Sequence, residues 1–156
     1  MPRKRKPLFV LADGGRARFV ERHPETRAFV TVGEVDGAAG LAAARAEVRA
    51  RPSARSVQAA TGARTTTGQE DPYRQVKEDF AEEVAAAAVA AARGAGADGL
   101  ILVAPARTLA PLKAAIGSAA PVLESLAKDL TKAPDAELDR WLVPLERALL
   151  RLTPRD

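Results

Sequence analysis

Leu100-Ile101-Leu102-Val103-Ala104, closed by Pro105, is the stretch that decides the fold. Five consecutive apolar residues without alternation read as a strand covered on both faces, because a strand with one wet face alternates apolar and polar. Before it, Asp71-Pro72 opens a helix, with Asp71 as N-cap and Pro72 where a missing N–H costs nothing. Tyr73, Val76, Phe80, Val84, Ala87 and Ala91 then form one apolar stripe at helical spacing, and Gly94 is the expected stop. After it, Thr108 to Ile116 reads as a short helix with Leu109, Leu112 and Ile116 inward, and Val122 to Leu126 as another strand. Helix, buried strand, helix, strand is the pattern of parallel strands joined by helical crossovers.

Towards the N-terminus the pattern changes. Leu8 to Ala12 is a buried strand, Asp13-Gly14-Gly15 a tight turn for which glycine supplies positive φ, and Ala17 to Glu21 the returning strand. His23-Pro24-Glu25-Thr26 is a second turn. Ala28 to Val35 follows as a third strand, with Ala28, Val30 and Val32 recurring at period 2. Gly37 to Arg51 reads as a short exposed helix stopped by Pro52. Asp135 to Leu152 is a final amphipathic helix that Pro144 should kink or split. The fold class is therefore α/β: a mixed five-stranded sheet, an antiparallel meander extended by βαβ additions, flanked by helices.

The chain has 156 residues, 47% of them apolar and 28% charged, which fits one folded domain over residues 1–156 and excludes a disordered or collagenous chain. With no Cys and one His, disulfides, thiolate chemistry and Cys/His zinc sites are excluded; no metal or cofactor is expected. Residues 1–6 form a basic tail. The apolar run behind them, Pro7 to Ala12, is shorter than the roughly 7–15 residues of a secretory segment or the roughly 20 of a membrane span, so a cytoplasmic protein without membrane contact is expected.

Net charge is +4, unevenly spread: residues 1–64 hold 13 Lys/Arg against 6 Asp/Glu, and residues 65–156 hold 11 against 14. A basic half suits phosphate-bearing partners, since each neutralised phosphate releases counterions. Ser53 to Gln69 is Ser, Thr, Gly, Arg and Ala with Val57 as its sole apolar anchor, and is expected to be a flexible, Arg-flanked loop. The phosphate-facing candidates are Arg16 and Arg18 of the first hairpin, pictured pointing outward, with Arg45, Arg49, Arg51, Arg55 and Arg64. Aromatic residues for base stacking are sparse, and no sequence readout of DNA is expected.

Other motifs read plainly. Gly94-x-Gly96-x-x-Gly99 lies after a helix and before a strand, the reverse of a dinucleotide fingerprint, and is a helix cap with a turn. Glu78, Asp79, Glu82 and Glu83 within two helical turns are a solvated face, and His23 is a turn residue.

Ala12-Asp13-Gly14-Gly15-Arg16-Ala17-Arg18-Phe19 resembles the opening of the bacterial host-attachment family. So do Arg49-Ala50-Arg51-Pro52 with Ser53 to Val57, Asp71-Pro72 followed by Phe80-Ala81, and Leu100 to Pro105. Lys128-Asp129-Leu130-Thr131, Pro134 and Glu137-Leu138 complete the pattern over nearly the whole chain. That family in turn is similar to the middle domain of archaeal and eukaryotic class-1 peptide release factors, here through Gly99 to Ala106, Lys113 and a loop before a long helix. The resemblance implies an RNase H-like fold, and a loop in which release factors carry Gly-Gly-Gln to orient water at the peptidyl-tRNA ester. Thr67-Gly68-Gln69 stands at that place in this chain. The leading expectation is a binding module for tRNA or the ribosome that touches attachment indirectly. A peptidyl-tRNA ester hydrolase with Gln69 and Gly68 as catalytic residues is the alternative, and a protein-interaction scaffold the third. Oligomeric state is left open.

Overall fold

The computed structural model describes residues 5–49 and 72–152. Strands β1 (Pro7–Ala12), β2 (Arg16–Arg22) and β3 (Phe29–Asp36) form the antiparallel meander, and helix α1 (Ala38–Arg49) follows. Helix α2 (Pro72–Ala95), strand β4 (Gly99–Ala104), helix α3 (Ala106–Ile116), strand β5 (Val122–Ala127) and helix α4 (Asp139–Leu152) complete the chain. The five strands lie in the order β3-β2-β1-β4-β5; β1 is parallel to β4, β4 to β5, and β2 is antiparallel to both its neighbours. The mixed α/β sheet expected from the sequence is the sheet observed.

Central strands β1 and β4 are buried along their whole length, as their unbroken apolar runs require. Their side chains alternate between two cores. Leu8, Val10, Leu100 and Leu102 meet Phe80, Val84, Ala85 and Ala88 of α2 and Leu112 and Ile116 of α3. Phe9, Leu11, Ile101 and Val103 meet Val20, Phe29, Leu130 and, on and just before α4, Leu138, Leu142 and Leu149. Each large side chain buried here contributes about 1.5–3 kcal/mol, so the two layers hold the sheet rigid from both sides. The alanines of α2 let its backbone approach the sheet closely while favouring the helix.

Several local expectations are corrected. Gly14 and Gly15 do not adopt positive φ. The Asp13 carboxylate holds the turn instead: its Oδ1 accepts the N–H groups of Gly15 and Arg16, both at 2.7 Å. The third strand does not keep one face inward. A bulge between the pairs Phe19–Gly33 and Val20–Thr31 inserts Val32, which is 50% exposed. Phe29 before the bulge and Val35 after it therefore pack into opposite cores, an outcome that unbroken period 2 could not produce. Helix α2 ends at Ala95 rather than Gly94, with Gly96 at φ 65° making the left-handed stop. The last helix passes through Pro144; the break falls at Leu138, between a 3-10 turn at Asp135–Glu137 and α4. The expected loop at 53–69 lies outside the described residues.

Candidate functional site

The strand order reverses direction between β1 and β4: the chain builds β2 and β3 to one side of β1, and β4 and β5 to the other. In open α/β sheets, ligands sit in the crevice beyond the carboxyl ends of strands at such a point. A cavity of about 130 Å³ lies there. Ala12, Asp13 and Gly14 from the end of β1, Lys77, Phe80, Ala81 and Val84 from α2, and Arg107, Thr108, Pro111 and Leu112 from α3 line it. Phe80, Val84 and Leu112 belong to the core beneath, so the floor is apolar and fixed.

The rim is polar and cationic. Lys77 and Arg107 are exposed, and among the described residues neither has an ion-pair partner. Pro105 immediately precedes helix α3, and its carbonyl accepts the N–H groups of Thr108 at 2.8 Å and Leu109 at 3.0 Å. It has no side-chain cap and no acidic residue in its first turn. Arg107 thus stands at the positive end of the helix dipole, where folding alone favours Asp or Glu. On the other side, Thr131 Oγ1 is 2.6 Å from Asp129 Oδ1 and 3.0 Å from Asp13 Oδ2. A carboxylate oxygen has two lone pairs, so Asp13 Oδ2 keeps acceptor capacity beside this hydroxyl.

The candidate arginines part company. Arg16 is exposed at the start of β2, beside the Asp13 turn. Arg45 and Arg49 are exposed on α1, four residues apart and so on one helix face. Arg18 does not point outward. Its side chain is 11% exposed, with Nη1 3.1 Å from Asp135 Oδ1 and Nη2 donating to the carbonyls of Leu130 (2.7 Å) and Ala133. Even-numbered positions of β2 face the core under α4, so Arg18 and Arg22 latch that layer to the sheet. Asp135 also accepts the N–H and hydroxyl of Thr31. Arg22 holds Glu146 of α4 with two nitrogens, Nε at 3.0 Å and Nη2 at 2.6 Å, and its guanidinium lies 4.2 Å above the Phe29 ring. That hydrogen bond raises the Arg22 pKa still further, so the guanidinium stays charged at every ordinary pH.

Arg51, Arg55, Arg64, Gly68 and Gln69 lie outside the described residues. His23 Nδ1 accepts the N–H groups of Glu25 and Thr26, both at 3.2 Å, so the ring closes its own turn. Among the described residues no group of three or more His, Cys, Asp or Glu could hold a metal ion. Glu78 pairs with Arg74 at 3.2 Å and Asp79 accepts from Gln75 at 2.8 Å, as neighbours on a wet helix face do. No helix of the described residues is long and apolar enough to cross a membrane.

A family model described as "protein required for attachment to host cells" matches residues 8–142. The chain belongs to this host-attachment family. The match runs from β1 into α4 and so takes in the sheet, both crossover helices and every residue that lines the cavity. No curated protein matches the sequence. Lys77, Arg107 and Thr108 of this host-attachment protein were not among the residues singled out from the sequence. Their signal was there: an Arg in the uncapped first turn after a buried strand and Pro105.

Proposed function

We propose that this member of the host-attachment family is a binding module for RNA, carried on tRNA or the ribosome, and that its influence on attachment is exerted through that association. One observation carries the reading: exposed Lys77 and Arg107 line the switch-point cavity at the carboxyl edge of the sheet, and exposed Arg16 opens β2 at the same edge, beside the Asp13 turn. A phosphate backbone is the polymer that rewards such a cluster. The Arg-bearing composition of the stretch before α2 supports the same reading.

The test is filter binding of labelled tRNA and of ribosomes over a salt series. Binding should be strong at low salt and fall linearly in log–log form. Arg16→Ala and Arg107→Ala should each flatten the slope, by about 0.7 per phosphate contact on a single strand. Absence of binding at low salt refutes the reading. Hydrolysis of peptidyl-tRNA that disappears in Gln69→Ala would replace it by the enzyme reading.

A further inference from the structure

We infer that the cavity between α2 and α3 is a binding site for a single nucleotide, as a nucleoside monophosphate or the terminal residue of an RNA strand. This goes beyond the RNA reading and does not depend on it, because a free mononucleotide satisfies the same chemistry.

Size comes first. Dinucleotide cofactors and drug-sized ligands need clefts of about 300–1,000 Å³. An apolar cavity of about 150 Å³ holds one benzene ring. At about 130 Å³, this cavity takes one ring-sized group and leaves the rest of its ligand at the rim. The floor of Phe80, Val84 and Leu112 suits a flat, weakly hydrated ring such as a base.

Charge comes second. The rim carries two cations, Lys77 and Arg107, and one carboxylate, Asp13. An inorganic anion uses the cations but wastes the floor and meets the repulsion of Asp13. A neutral nucleoside uses the floor and leaves the cations idle. A nucleotide uses everything: phosphate on Lys77 and Arg107, ring on the floor, and a ribose hydroxyl or base amino group donating to Asp13, as acidic residues at switch points receive ribose.

The third observation concerns the end of the helix that carries one of these cations. Arg107 in the uncapped first turn of α3 opposes the helix dipole, and no described carboxylate pairs with it. A cation maintained against the local field is explained when an anion shared by the guanidinium and the helix end completes the site.

The experiment is a calorimetric titration of the full chain with AMP and UMP, beside adenosine, inorganic phosphate and a short single-stranded RNA. A monophosphate should saturate the protein, with adenosine and inorganic phosphate each weaker by about tenfold or more. Lys77→Ala/Arg107→Ala, two exposed positions, should reduce monophosphate affinity by about tenfold or more. Ala81→Met should fill the cavity and abolish binding; if that buried change unfolds the chain, the double variant carries the test. Displacement of AMP by the RNA assigns the site to a strand end, and failure to displace it assigns it to the free nucleotide. The inference is overturned if no monophosphate binds at millimolar concentration, if inorganic phosphate binds as tightly as AMP, or if the double variant binds like the parent. Loss of tRNA and ribosome binding with AMP binding intact would sink the RNA reading alone.

Discussion

The two faces of the sheet put the same kind of side chain to opposite uses. Under α4, Arg18 and Arg22 are largely buried and paired with Asp135 and Glu146, and they bind that layer to the meander. Between α2 and α3, Lys77 and Arg107 are exposed and have no ion-pair partner among the described residues, beside a cavity. A cation whose guanidinium ends on the protein's own carboxylates and carbonyls is structural. One held out against a helix dipole is available for a ligand. Counting basic residues cannot separate the two; knowing which face each one meets does.

That contrast can be broken or sharpened by substitution. The largest effect is expected from the shared core: Leu112→Ala, fully buried under α3, should cost about 2–5 kcal/mol in denaturant unfolding. Arg18→Ala should follow at about 2–3 kcal/mol, since it strips partners from Asp135 and from the carbonyls of Leu130 and Ala133. A loss below about 0.5 kcal/mol would mean that the latched face is not latched. Asp13→Ala should cost about 1–2 kcal/mol by freeing two turn N–H groups, whereas Asp13→Asn, which keeps an acceptor, should cost less; thermal melts would order the pair. The smallest stability change is expected on the other face, where Lys77→Ala should stay within about 0.5 kcal/mol of the parent while binding falls.

The sheet was legible in the sequence because its signal is local. Leu8 to Ala12 and Leu100 to Ala104 are apolar on every residue, and such a run has few places to go except the middle of a covered sheet. The face of β3 was illegible for an equally physical reason. One inserted residue, Val32, reverses the inside and outside of everything after it, and nothing in the residue announces the bulge. The break at Leu138 was assigned to Pro144 because a proline in mid-helix removes one hydrogen bond; α4 tolerates that loss and continues. The likeness to release factors rests on sequence resemblance alone, and its Gly68-Gln69 pair lies outside the described residues.

The candidate site was half legible. Arg16 and the Asp13 turn stood out as a compact motif, and Arg16 does lie at the carboxyl edge. Arg18, two residues on, shares its face of the strand but is spent on Asp135 and the carbonyls of Leu130 and Ala133, whereas Arg16 at the strand's end is exposed. Lys77 and Arg107 were missed because the cavity is assembled from positions far apart in the chain, and only the parallel pairing of β1 with β4 brings their helices to one edge.

The most direct test of the structural–functional division is a thermal melt and an AMP titration of Arg107→Glu, run side by side. A carboxylate in the first turn of α3 suits the helix dipole, so the variant should be more stable than the parent by about 0.3–1 kcal/mol and should bind no nucleotide. A variant that melts lower than the parent, or binds AMP as well, would contradict the account.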